Sequence, residues 1–140
     1  MNILFPKGTI LITKHFNIGQ DWEIPISAFF IVSALDKSKR SIQDFTDDEL
    51  IELILTIKQV RNAISNVLHI KDIYIFHYED SRHGFHIWLF PRHGWMERFG
   101  RDIQSVHPIM NYAKEHMATN SNIKEVKNII KNMKKYLSLR

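Results

Sequence analysis

The 140-residue sequence contains no cysteine. That excludes disulfide bridges and thiolate zinc sites, and it suits a reducing cytosol. The longest nearly apolar run, residues 24–35, is too short to span a bilayer. The opening Met1-Asn2-Ile3-Leu4-Phe5-Pro6-Lys7 lacks the charged start and long apolar core of a signal peptide. A soluble, cytoplasmic protein with no membrane partner is therefore expected. The chain also lacks internal repeats, low-complexity tracts and any obvious linker. It has no His-Glu-x-x-His, which removes a zincin reading.

What is present describes an ordinary globular chain. Hydrophobic residues make up 44% and charged residues 24%, a balance that supports a real core and argues against disorder. The length suits a single domain over residues 1–140. The net charge of +4 is uneven. Residues 121–140 hold Lys124, Lys127, Lys131, Lys134, Lys135 and Arg140 against Glu125, a net +5, and leave the rest about neutral. Such a tail could hold nucleic acid by charge or simply be a solvated helix face.

Periodicity outlines the elements. Residues 10–14 and 29–34 are β-prone, and residues 17–21 read as a turn because of Gly19 and Asp21. Thr46-Asp47-Asp48-Glu49 forms a capping box ahead of apolar residues at helical spacing up to Leu68. Residues 72–77 and 85–90 alternate as strands on either side of a polar turn, predicting an antiparallel hairpin that Pro91 ends. Two amphipathic helices follow within residues 104–138. The mixture lacks strict β-α-β alternation, which favours an α+β fold with a mostly antiparallel sheet.

The chemistry concentrates in residues 83–93, which hold His83, His86 and His93. Neutral imidazole is suited to attack phosphorus, move protons or bind metal near neutral pH. Strand parity puts Gly84, His86, Trp88 and Phe90 on one face and His83, Phe85, Ile87 and Leu89 on the other. A metal reading of His83, His86 and His93 is disfavoured on the same ground, since i and i+3 diverge on a strand and no carboxylate pattern accompanies them.

Helix, strand, polar turn, histidine strand and Pro91-Arg92, in that order, resemble the histidine-triad superfamily of nucleotide hydrolases and transferases. Aligned on Pro91-Arg92, the motif His-φ-His-φ-His-φ-φ, with φ apolar, puts Gly84, His86 and Trp88 at the three histidine positions. Phe85, Ile87, Leu89 and Phe90 fill the apolar ones. Phe85 to Arg92, with Trp22 to Val32, looks like a bacterial branch with tryptophan at the third position. The resemblance covers about residues 8–95, and the helices at about 104–138 read as an extension.

The resemblance implies a roughly five-stranded antiparallel sheet with a long helix, a homodimer, and no cofactor or metal in the covalent step. It implies an enzyme acting at the α-phosphate of a nucleoside phosphate or dinucleoside polyphosphate, with His86 as nucleophile. Ser81, Trp88, Arg92, His77 and His83 are the candidate nucleotide contacts. A ribose-binding acid would fall near Asp21 or Glu23, which read equally as surface acids. Since Gly84 and Trp88 replace two histidines, the alternative is a non-catalytic nucleotide- or nucleic-acid-binding module.

Overall fold

Alternation along the strands decides which side of the sheet each residue joins. The computed structural model describes residues 3–139; Met1, Asn2 and Arg140, the last a member of the basic tail, lie outside the described residues. The strands β1 (Thr9–Ile12), β2 (Phe16–Gln20), β3 (Phe30–Ala34), β4 (Ile73–Phe76) and β5 (His86–Pro91) form one sheet in the order β1-β2-β3-β5-β4. Every neighbouring pair is antiparallel. The fold is therefore the α+β architecture expected, including the β4–β5 hairpin.

One face is closed by α1 (Asp47–Leu68) and α3 (Asn120–Ser138). Phe16, Ile18, Phe30, Val32, Ile87 and Leu89 from the strands pack there with Val60 and Ile64 of α1 and Val126 and Met133 of α3. Thr46 accepts from the Glu49 N–H at 3.2 Å, and Glu49 accepts from the Thr46 N–H at 2.8 Å, which completes the expected capping box. The helix ends at His69, which adopts the left-handed region at φ 57°. Glu52 bolts the β1–β2 turn to α1: it accepts from the Thr13 hydroxyl at 2.6 Å and from the His15 N–H at 2.9 Å.

The other face is covered by short helical turns over residues 94–105 and by α2 (Val106–His116). Phe29, Phe90, Met96 and Ile109 form a second core there, with Trp88, Phe76 and Tyr74 packed against it. The two C-terminal helices thus cover opposite faces of the sheet.

Residues 17–21 depart from expectation. They do not turn; residues 16–20 form β2, and the reversal comes earlier, where the Thr13 N–H bonds the Phe16 carbonyl at 2.9 Å. Gly19 serves close approach instead. A Cβ there would stand 3.1 Å from both the Gly8 carbonyl oxygen and the Thr9 Cα. The β1–β2 register also shifts between Thr9 and Leu11, as at a bulge.

Candidate active site at the start of the histidine strand

His86 opens β5, half-buried, directly opposite Ser33 of β3. Its Nδ1 lies 2.9 Å from the Gly84 carbonyl oxygen. A carbonyl only accepts, so Nδ1 carries the proton and Nε2 of the neutral ring keeps its lone pair. The tautomer is thereby set by two residues of local chain.

Aromatic rings frame this imidazole. Tyr78 meets it edge-on at 5.2 Å between centroids, and Trp88 lies 5.9 Å away. Trp88 is held in turn by Phe29 at 5.7 Å and Phe76 at 4.9 Å. Beside the Ser33–His86 pair, a cleft of about 630 Å³ opens on the same face. Asn17, Gly19, Ile31 and Ser33 line its floor, with Asp21, Lys37 and Lys114 among its other walls.

His83 corrects the parity argument. Its ring centroid lies 6.0 Å from that of His86, and both rings contact Tyr78. Strand alternation does not reach it, because β5 starts only at His86. Residues 80–83 turn instead: one Asp80 oxygen accepts from the N–H groups of Arg82 and His83 at 2.9 and 3.0 Å. The same carboxylate holds the His83 Nδ1 at 2.9 and 3.0 Å. These donors, the His83 ring first, keep the Asp80 carboxyl below its ordinary range.

His77 supports the site from just past the end of β4. Its Nδ1 donates to the His86 backbone carbonyl at 2.6 Å, while its Nε2 meets Glu79 at 2.9 Å. Glu79 also accepts from the Ser41 hydroxyl at 2.7 Å and the Ile42 N–H at 2.8 Å. The His77, Ile42 and Ser41 contacts, in that order, push its carboxyl down to about 2. Arg40 closes the other side of the turn, donating to the carbonyls of Ser81 at 2.7 Å and His83 at 3.3 Å. Ser81 itself is exposed at the tip of the turn.

Arg92 does not join this group. It is 6% exposed and follows the opposite end of β5, roughly 20 Å of strand from His86. Its guanidinium donates to the Gly100 carbonyl at 2.6 Å and the Ser105 hydroxyl at 3.1 Å, and it stacks on Tyr74 at 5.0 Å. Packing of residues 94–105 over the sheet swallows it, so it ties down that segment and does not meet a ligand beside His86. His93 lies at the same end, where its Nε2 donates to the Ser27 carbonyl at 2.7 Å. Burial pushes its pKa below the usual value, against the opposing effect of that carbonyl. The three imidazoles at 83, 86 and 93 are therefore not brought together. Among the described residues no group of three or more His, Asp or Glu is placed to hold a metal ion.

Asp21 turns its carboxylate inward to the N–H groups of Glu23 at 3.0 Å and Ile24 at 2.8 Å. Burial raises its pKa, partly offset by those donors. Glu23 pairs with Lys114 at 3.7 Å. Tyr78, Glu79 and Asp80 are site neighbours that sequence reasoning passed over as a polar turn, and Arg40 is one it did not single out. The spacing Asp80-x-x-His83 is the one local signal that pointed to such a turn.

No protein-family model matches the sequence, and no curated protein matches it. Solved structures do resemble the fold. A zinc-bound histidine triad family protein from Mycobacterium smegmatis aligns with a TM-score of 0.62 and 10% identity, covering 100% of this chain and 90% of that one. Diadenosine triphosphate hydrolase of Plasmodium falciparum aligns with a TM-score of 0.57 and 17% identity, over 80% and 77% of the two chains. The NitFhit protein of C. elegans aligns with a TM-score of 0.56 and 16% identity over 77% of this chain, which spans only 27% of that protein. Among the described residues no helix is long and apolar enough to cross a membrane. At these identities the likeness establishes the architecture, and this chain has an α+β fold like that of the histidine-triad proteins.

Proposed function

We propose that the face around His86 binds a nucleoside phosphate or dinucleoside polyphosphate and that His86 attacks its α-phosphorus. The observation that carries this reading is the His86 Nδ1 contact to the Gly84 carbonyl at 2.9 Å. It leaves Nε2 as the nucleophilic atom and gives the ring N–H a partner when the ring becomes cationic on phosphorylation. Water or another acceptor then takes the nucleotidyl group, which makes the protein a hydrolase or transferase. The adjoining cleft of about 630 Å³ is of a size for a nucleoside. Ser81, exposed on the turn, is proposed to reach the phosphates, and Trp88 to bound the pocket by its ring.

The test is to quench reactions with substrate labelled at the α-phosphate and follow protein-bound label. Label on the wild type and its loss in His86→Ala is the expected result. Turnover that survives unchanged in His86→Ala would sink the nucleophile assignment.

The alternative is a nucleotide- or nucleic-acid-binding module without turnover. It draws on Gly84 and Trp88, which supply no imidazole at two triad positions. It also draws on a groove of about 380 Å³, where Lys7 from the N-terminal segment joins Lys127, Lys131 and Lys134 of α3. Calorimetry with nucleoside monophosphates, alongside a turnover panel, separates the two readings. Pairing of two copies through the edge strand β4, where Ile75 is half exposed, completes the proposal. Light scattering at a dimer mass tests it.

A further inference from the structure

Two of the three triad positions hold no imidazole, yet a second imidazole stands beside His86. His83 lies 6.0 Å from it between ring centroids, and Tyr78 lies against both rings. This ring comes from the turn, not from the strand, and the turn is built to present it. Asp80 binds two backbone N–H groups of residues 82–83 and the His83 Nδ1 at once. Arg40 fixes the same turn from outside by its two carbonyl contacts. With Nδ1 directed to a carboxylate, His83 Nε2 points its proton or its lone pair elsewhere. A carboxylate behind an imidazole also stabilises the charged ring, as in other Asp–His pairs.

We propose that Asp80 and His83 form a proton-transfer dyad that serves the leaving group of the reaction at His86. It rests on the reading of His86 as a nucleophile, and it supplies the acid that Gly84 and Trp88 cannot. In the first step His86 Nε2 forms a bond to phosphorus and the bond from phosphorus to the leaving oxygen breaks. That oxygen takes the Nε2 proton of the His83 imidazolium, which becomes neutral. In the second step neutral His83 takes a proton from water as the water oxygen attacks phosphorus. The phosphorus–nitrogen bond breaks, His86 is restored neutral, and His83 is again cationic. His83 is the catalytic residue of the pair, and Asp80 is a positioning residue.

The test is a leaving-group series on the full chain. Nucleoside 5′-aryl phosphates from 4-nitrophenyl to unsubstituted phenyl need increasing proton donation to the departing oxygen. General acid help is worth ~10²–10⁴-fold, so His83→Ala should lose about that much with the phenyl ester and far less with the nitrophenyl ester. The dependence of rate on leaving-group acidity should steepen. Asp80→Asn should steepen it in the same sense, and His83→Gln should not restore it. A uniform loss across the series in His83→Ala, with an unchanged slope, would mean the residue only shapes the turn and would overturn the dyad. His86→Ala is expected to abolish turnover at every leaving group. Survival of turnover there, with the steepened slope still produced by His83→Ala, would overturn the nucleophile reading and leave the dyad standing. Absence of turnover of all the esters by the wild-type protein would overturn both.

Discussion

His77 Nδ1 donates to the backbone carbonyl of His86 at 2.6 Å. A side chain just past the end of β4 thus holds the first residue of β5 in place, and its other nitrogen reaches Glu79. Each ring nitrogen of His77 thus meets its own oxygen partner. Replacing this link by an apolar ring isolates it from packing on Phe85, which His77 contacts at 4.8 Å. His77→Phe is expected to cost about 1–2 kcal/mol in urea denaturation, the usual loss when a partly buried carbonyl gives up its donor. A change near zero would show that water replaces the imidazole without penalty.

Acid should undo the Glu79 anchor late. Its folded pKa of about 2 lies below the ordinary 4.5. The contribution is therefore fully present above pH 4.5 and is lost as pH falls toward 2. The Ile42 amide, which donates to Glu79 at 2.8 Å, reports this directly. Its resonance is expected to titrate with a midpoint near 2, and a midpoint at 4.5 would mean the anchor is not formed in solution.

His93 predicts a loss of the same sign at milder pH. Burial lowers its folded pKa below 6.5. The unfolded chain therefore takes up a proton near pH 6.5 before the folded one does. Stability should be highest above pH 6.5 and decline as pH falls below it. His93→Gln should flatten that decline, measured as the pH dependence of the denaturation midpoint. An unaltered slope in the variant would assign the decline to other groups.

Arg92 tests the correction made by the fold. Its guanidinium contact to Ser105 is buried and that to Gly100 is partly buried. Arg92→Lys keeps a charge but loses the planar fork, and it should destabilise the protein by about 2–4 kcal/mol. Nucleotide affinity of the remaining folded protein should be that of the wild type. A selective loss of affinity at full stability would return Arg92 to the binding site.

Two glycines should behave oppositely. Gly19→Ala pushes a methyl against the Gly8 and Thr9 backbone at 3.1 Å, and a backbone clash of this kind costs about 1–3 kcal/mol. A Cβ on Gly84 meets nothing within 4 Å, so Gly84→Ala should fall within about 0.5 kcal/mol of the wild type. Thermal denaturation of the two variants side by side checks the contrast.

The features legible in the sequence are those set by short-range chemistry. The Thr46–Glu49 capping box, the period of α1 and the alternation of residues 85–90 depend on neighbours a few positions away. They therefore stand in the structure where the sequence puts them. The same holds for His86 facing away from Ile87 and Leu89, since alternation within β5 sets it. What tertiary structure alone decided involves chain that is distant or irregular. Gly19 has the look of a turn residue, and only the approach of Gly8 and Thr9 shows why a strand needs it. Arg92 continues a motif, and only the docking of residues 94–105 shows that its charge is consumed inside the protein. His83 moved from the opposite face to the side of His86 because parity governs extended chain, and the chain there is turned by Asp80. Periodicity thus determined α1 and the buried faces of β3 and β5, whereas β2, which reads as a turn, was decided by its pairing with β1 and β3. The company that His86 keeps was decided by a turn, whose direction depends on hydrogen bonds no period encodes.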